Sequence, residues 1–144
     1  MHNNCKMSRI ISIDYGAKRC GIAVTDPMQI IVYPLTTVHK QELLDFIIDY
    51  CTKNEVETIV VGEPIRDNGD IAPIENEIKG FIKNLEKNLN NIKIVRIDES
   101  YSSKKAVKVM IEAGAKKKQR QQKGNIDKVS AAIILQDYLK ISEL

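Results

Sequence analysis

The apolar and polar positions change period several times along the chain, and each change marks an element. Residues 9–14 (Arg-Ile-Ile-Ser-Ile-Asp) read as a buried strand ending on a carboxylate. Tyr15-Gly16-Ala17-Lys18 follows as a turn, and residues 20–25 (Cys-Gly-Ile-Ala-Val-Thr) form a second apolar strand. So short a connection implies an antiparallel hairpin. A third strand fits within residues 29–38, where Pro34 requires an edge or irregular position because it has no N–H for an inner ladder.

Over residues 40–53 the spacing becomes helical, with Leu43, Leu44, Ile47, Ile48 and Cys51 recurring on one face. Residues 57–62 are a β-branched run closed by Gly62, as expected of a central parallel strand. The stretch from Glu63 to Pro73 reads as a loop, and residues 74–90 as a second helix carrying Ile74, Ile78, Phe81, Ile82, Leu85 and Leu89 on one side. Residues 92–97 give a fifth strand that runs out into Asp98-Glu99. Ser102 or Ser103 can cap a third helix reaching Ala113, with Gly114 as its stop. Residues 115–124 are polar, basic and without period, and Asn125 is placed to cap a last helix from Ile126 to about Leu139. The order β-β-β-α-β-α-β-α-α predicts an α/β fold: a five-stranded mixed sheet, antiparallel in its first three strands and parallel in the fourth and fifth, flanked by helices.

A length of 144 residues suits one domain, here residues 9–144, with residues 1–8 expected as a flexible extension. The chain is 43% hydrophobic and 28% charged, as globular proteins are. It has no apolar run near the ~20 residues that span a bilayer, and its N-terminal residues carry no secretory pattern, which points to the cytoplasm and away from a membrane. Cys5, Cys20 and Cys51 are odd in number and widely spaced, so neither a disulfide framework nor a zinc knuckle is indicated; Cys20 and Cys51 read as small core residues. With only His2 and His39 available, any metal must rely on carboxylates.

The net charge of +3 is unevenly spread: residues 1–100 carry −3 and residues 101–144 carry +6. A basic end suits a polyanionic partner, though a solvated lysine-rich surface has the same composition. Within it, Lys116, Lys117, Lys118, Arg120 and Lys123 lie directly before Asp127 and are candidates for clamping backbone phosphates. That stretch contains no aromatic residue to stack on bases. Lys18 and Arg19, in the first turn, are further candidates for holding a phosphate.

Asp14 ends the first strand, Glu99 follows the fifth, and Asp127 opens the last helix. If the two strands present their C-terminal ends on one edge, Asp14 and Glu99 meet in the crevice where open α/β sheets bind ligands. Each carboxylate alone has an ordinary role: turn former, strand exit, or first-turn charge on a helix dipole. Together they form a cluster whose mutual repulsion calls for a proton or a cation, and hard oxygen ligands suit Mg²⁺ or Mn²⁺. Paired divalent ions on such a cluster can hydrolyse phosphodiesters without a covalent nucleophile.

At these positions the chain resembles the YqgF family of Holliday-junction-resolvase-like proteins, over Ile10 to Leu139. Asp14-Tyr15-Gly16-Ala17-Lys18-Arg19-Cys20-Gly21-Ile22-Ala23-Val24 resembles the family's opening motif, and Val61-Gly62-Glu63-Pro64-Ile65 its second segment. Asp98-Glu99-Ser100-Tyr101-Ser102-Ser103 and Asp127-Lys128-Val129-Ser130-Ala131-Ala132 resemble the third and fourth. The resemblance implies a ribonuclease H-like fold, Asp14, Glu99 and Asp127 as catalytic metal ligands, and an endonuclease that matures the 5′ end of precursor 16S rRNA. Three positions depart from the pattern: Ser100 stands for the usual Arg, Glu63 for Leu, and Ala17 for Thr or Ser. Glu63 adds a carboxylate at the end of the fourth strand, where it could join the cluster.

Two other functions share these features. A DNA-junction resolvase would use the same fold and metal chemistry as a dimer, and the pattern leaves monomer and homodimer open. A non-catalytic RNA-binding ribosome-assembly factor would use the basic stretch alone. A sugar-kinase or actin-like phosphate site, which Asp14-Tyr15-Gly16 loosely resembles, normally needs two such domains.

Overall fold

The computed structural model describes residues 7–64, 72–99, 108 and 123–142, without the side chains of 123–125 and 142. Five strands, β1 (Arg9–Tyr15), β2 (Arg19–Thr25), β3 (Val32–His39), β4 (Val56–Glu63) and β5 (Lys93–Asp98), form one sheet in the order β3-β2-β1-β4-β5. The β1–β2 and β2–β3 pairs are antiparallel, whereas β1–β4 and β4–β5 are parallel, which is the mixed pattern expected. Pro34 lies on the edge strand, and the β2–β3 register slips beside it, between Ile22 and Ala23. Its missing N–H therefore costs no inner ladder bond.

The alternation of side chains along the strands divides the interior into two layers. On one face, Ile11, Ile13, Ile22, Val24, Ile59 and Val61 pack against helices α1 (Lys40–Lys53) and α2 (Glu75–Asn88). Cys20 is fully buried there, and Cys51 packs against the same cluster. On the other face, Ile10, Ala23 and Val60 pack against Ala131, Ala132, Ile134 and Leu135 of α3 (Lys123–Ser142). Small residues on α3 let it lie close to the sheet: Ser12 Oγ donates to the Ala131 carbonyl at 2.5 Å.

The bounds of α1 are those its period predicts. Two other boundaries differ. Gly62 does not end its strand, because β4 continues to Glu63, paired with Asp98 of β5. The last helix begins at Lys123, so Asn125 is inside it and is not its cap. Asp127 accordingly lies beyond the first turn, where the dipole that would stabilise a terminal carboxylate has faded. The expected helix from Ser102 or Ser103 to Ala113 lies outside the described residues except for Lys108, which is helical. The expected N-terminal extension does too, except for Met7 and Ser8. No helix among the described residues is long and apolar enough to cross a membrane.

Candidate functional site

Strand alternation decides which carboxylates can meet. Ile10, Ser12 and Asp14 project to the α3 side of β1, opposite Ile11, Ile13 and Tyr15. On β5, Ile97 packs with the α3 layer and Ile94 with the other, so Glu99, two residues past Ile97, returns to the α3 side. Its N–H continues the parallel ladder by donating to the Glu63 carbonyl at 3.2 Å. Asp14 and Glu99 are thereby brought into hydrogen-bond contact. Glu63 has the parity of Ile59 and Val61, so it belongs to the opposite face and does not extend this cluster as the sequence had suggested.

The pair is half-buried, with Glu99 Oε2 sealed from solvent, and desolvation is the main reason both carboxyls resist ionisation. Asp14 rises from 3.8 to about 6 through desolvation, offset by the bond with Glu99 and reinforced by the charge of Asp127. Glu99 rises from 4.5 to about 9, again through desolvation first, then through the charge of Asp14 and the hydrogen bond to it, with Arg96 pulling the other way. Glu99 thus donates and Asp14 accepts. No N–H or hydroxyl group among the described residues donates to the buried Glu99 Oε2. Without a counter-ion, the site has to retain a proton.

Two glycines make this arrangement possible. A Cβ on Gly62 would overlap the Glu99 carboxyl, its Cδ at 2.9 Å, and press on Ile134 Cδ1 at 3.1 Å. A Cβ on Gly21, the β2 residue paired with Asp14, would run into the α3 backbone at Asp127, with Lys128 N at 2.8 Å. Gly21 therefore sets how closely Asp127 approaches β1. Neither glycine stands out in the sequence as a site residue, because the tight contacts come from elements far away in the chain.

Asp127 reaches the site from α3, acting on Asp14 through its charge, while its Oδ2 lies 3.8 Å from Arg19 Nε. Among the described residues, no three His, Cys, Asp or Glu side chains converge as a ready cation cage. The expected triad is therefore built as a bonded pair, Asp14 and Glu99, with Asp127 beside it. Two carboxylates are enough for Mg²⁺, which commonly takes its remaining ligands from water and substrate phosphate. The donor set is hard oxygen, and the protonated, underbonded pair is what a cation would relieve.

Lys18 and Arg19 line a cleft of about 570 Å³ together with His39, Lys40, Gln41 and Asp127. Lys116, Lys117, Lys118 and Arg120 lie outside the described residues, and Lys123 is the first residue of α3 rather than part of a loop.

An ion pair between half-buried Arg96 and buried Glu75 supports the site from the α1–α2 side. Arg96 donates to both carboxylate oxygens of Glu75, at 2.8 and 2.7 Å, and to the carbonyls of Val61 and Gly62 at 3.2 and 3.0 Å. It ties the start of α2 to the backbone on which Glu99 rests. Tyr15 extends a similar link, since its hydroxyl and Lys40 Nζ both bond Glu77 Oε1, at 3.0 and 2.6 Å.

Known proteins agree with this architecture. The RuvC of T. thermophilus, solved in complex with Holliday junction substrate, superposes with a TM-score of 0.53 at 13% identity, over 93% of this chain and 96% of that one. That likeness identifies the fold as ribonuclease H-like. A Flavobacterium johnsoniae protein, provisionally named a pre-16S rRNA nuclease, is 49% identical over 133 residues, 92% of this chain and 96% of its own length. A Bacteroides fragilis protein of the same name is 47% identical over 138 residues, 96% of this chain and all of its own length. Residues 8–141 match the pattern of the RuvX family, described as Holliday junction resolvase. From the first strand to the last helix, then, the chain belongs to the RuvX family of Holliday junction resolvases.

Proposed function

We propose that the chain is a metal-dependent endonuclease that hydrolyses phosphodiesters in the 5′-end maturation of precursor 16S rRNA. The observation that carries this is the half-buried, desolvated Asp14–Glu99 pair, two carboxyls held together where a proton or a cation is needed to keep them. The names of relatives nearly half identical over their whole length support the RNA substrate.

Asp14 and Glu99 would hold Mg²⁺ or Mn²⁺, and Asp127 would add its charge from α3. The ion, when bound, supplies Lewis-acid stabilisation of the developing negative charge and a lowered pKa for an attacking water. The chain supplies the rest. Gly62 leaves room for the Glu99 carboxyl, Gly21 seats the α3 backbone at Asp127, and Lys18 and Arg19 offer positive charge on the approach. Lys116, Lys117, Lys118, Arg120 and Lys123 would extend that charge along the bound strand.

The test is cleavage of a short precursor-16S 5′-leader RNA with Mg²⁺ or Mn²⁺, with EDTA and Asp14→Asn as controls. A DNA four-way junction is run in parallel, because the family's description favours that second substrate. Metal-dependent RNA cutting that Asp14→Asn abolishes supports the proposal. Cutting of the junction alone moves the function to DNA. Binding without cutting under either metal removes the catalytic reading.

A further inference from the structure

The cleft beside Asp127 is built from two segments far apart in the chain: the turn carrying Lys18 and Arg19, and the β3–α1 junction at His39, Lys40 and Gln41. The Lys40 N–H donates to the Lys18 carbonyl at 3.0 Å and locks one to the other. Among the described residues, Lys18, Arg19 and Lys40 contribute three positive charges to the lining against the single carboxylate of Asp127. Lys40 is partly neutralised by Glu77, but Lys18 has no carboxylate partner among the described residues. Arg19 Nε is buried without a hydrogen-bond acceptor, and the 3.8 Å to Asp127 is too long to provide one. The Arg19 charge is thus only loosely compensated by Asp127, while over a third of its side chain is exposed and able to meet an anion. Among the described residues the cleft is lined by no Phe, Tyr or Trp, and its one ring is the His39 imidazole, so charge outweighs stacking surface there. A volume of about 570 Å³ readily admits a phosphodiester with its flanking sugars.

We propose that this cleft seats a backbone phosphate of the bound strand, next to the phosphate presented to Asp14 and Glu99. His39, Lys40 and Gln41 thereby become substrate-contacting residues alongside Lys18 and Arg19. The assignment rests on the nuclease reading for which polyanion enters, and not for whether it is cut.

Gln41 is the position to test, being exposed and in the first turn of α1. Gln41→Glu puts a carboxylate where the helix dipole favours one, so weaker binding could not be blamed on a weakened helix. Gln41→Lys adds a cation at the same place. Asn84→Asp, exposed near the far end of α2, is the charge control. Binding of labelled 5′-leader RNA and of a four-way DNA junction is followed by fluorescence anisotropy at low salt in EDTA, so neither probe can be cut. Gln41→Glu should weaken binding of one probe roughly two- to fivefold and Gln41→Lys tighten it by a similar factor. For the RNA, the lysine should also steepen the salt dependence by about 0.7 in log–log slope. The probe that responds shows whether the phosphate comes from RNA or DNA. The proposal is overturned if both Gln41 variants bind like the unaltered chain, if Asn84→Asp shifts binding equally, or if neither probe binds. Charge-dependent binding without cutting under any metal would keep the cleft and remove the nuclease reading.

Discussion

Replacing Asp14 with Asn should stabilise the metal-free protein while removing its response to metal. Burial and neighbouring charge hold the Asp14 carboxyl at about 6 rather than 3.8, so ionising it inside the fold costs about 3 kcal/mol. Asparagine abolishes that cost and removes the neighbouring charge that, after burial, helps hold Glu99 at about 9. Both acids retain protons in the folded state that the unfolded chain releases. The stability of the metal-free protein therefore falls as pH rises from about 4 to about 9, and the advantage of the Asp14→Asn variant grows over the same interval. At about pH 7.5, 3 kcal/mol corresponds to a rise in Tm of roughly 6–12 °C for a chain of this size, an upper limit reached if the amide is well bonded. Thermal melts of both proteins across pH, in EDTA and in millimolar Mg²⁺, test this. Mg²⁺ should raise the Tm of the unaltered protein and leave the variant nearly unchanged. The reasoning is refuted if the variant melts at or below the unaltered protein in EDTA, or if Mg²⁺ stabilises both equally.

Gly62→Ala should displace the Glu99 carboxyl; electron paramagnetic resonance titration with Mn²⁺ should show binding at least tenfold weaker, while circular dichroism stays that of the folded chain. Gly21→Ala directs its methyl at α3 backbone that cannot swing aside, so urea unfolding should report a loss of about 1–3 kcal/mol. Arg96→Met leaves Glu75, only 2% exposed, with no more than the weaker charge of Lys79 and should cost about 2–4 kcal/mol in the same assay. Adding Glu75→Leu should recover most of that loss, and failure to do so would show that Arg96 matters chiefly through the Val61 and Gly62 carbonyls.

The sheet was legible because its signals are local. Apolar runs, a short hairpin turn and one clean helical period were enough to place the strands and to bound α1 from Lys40 to Lys53. Asp14 and Glu99 were legible as strand-end carboxylates. The face each occupies was not, since it depends on residue parity through the actual strand ends, and one extra residue put Glu63 opposite the cluster. The start of α3 was not legible, because Asn125 looks like a cap, yet the helix runs through it from Lys123. Gly21, Gly62 and Arg96 act through contacts with residues more than twenty positions away, and no local pattern encodes those. Position 41 became visible only once α1 was seen to start beside the first turn.

The two-layered core also has a consequence for how the protein is made. The sheet face carrying Ile10, Ala23 and Val60 is closed by α3, the last helix described, while the opposite layer draws on residues up to β5. At ribosomal speeds, roughly 6–20 s separate the synthesis of Asp14 from that of Asp127. Until then the carboxylate site is incomplete, lacking Glu99 for the first part of that interval and Asp127 throughout, and the sheet face of Ile10, Ala23 and Val60 lacks α3. The helix that carries Asp127 to the site is thus also the one that closes this layer of the core, so site and core are completed together.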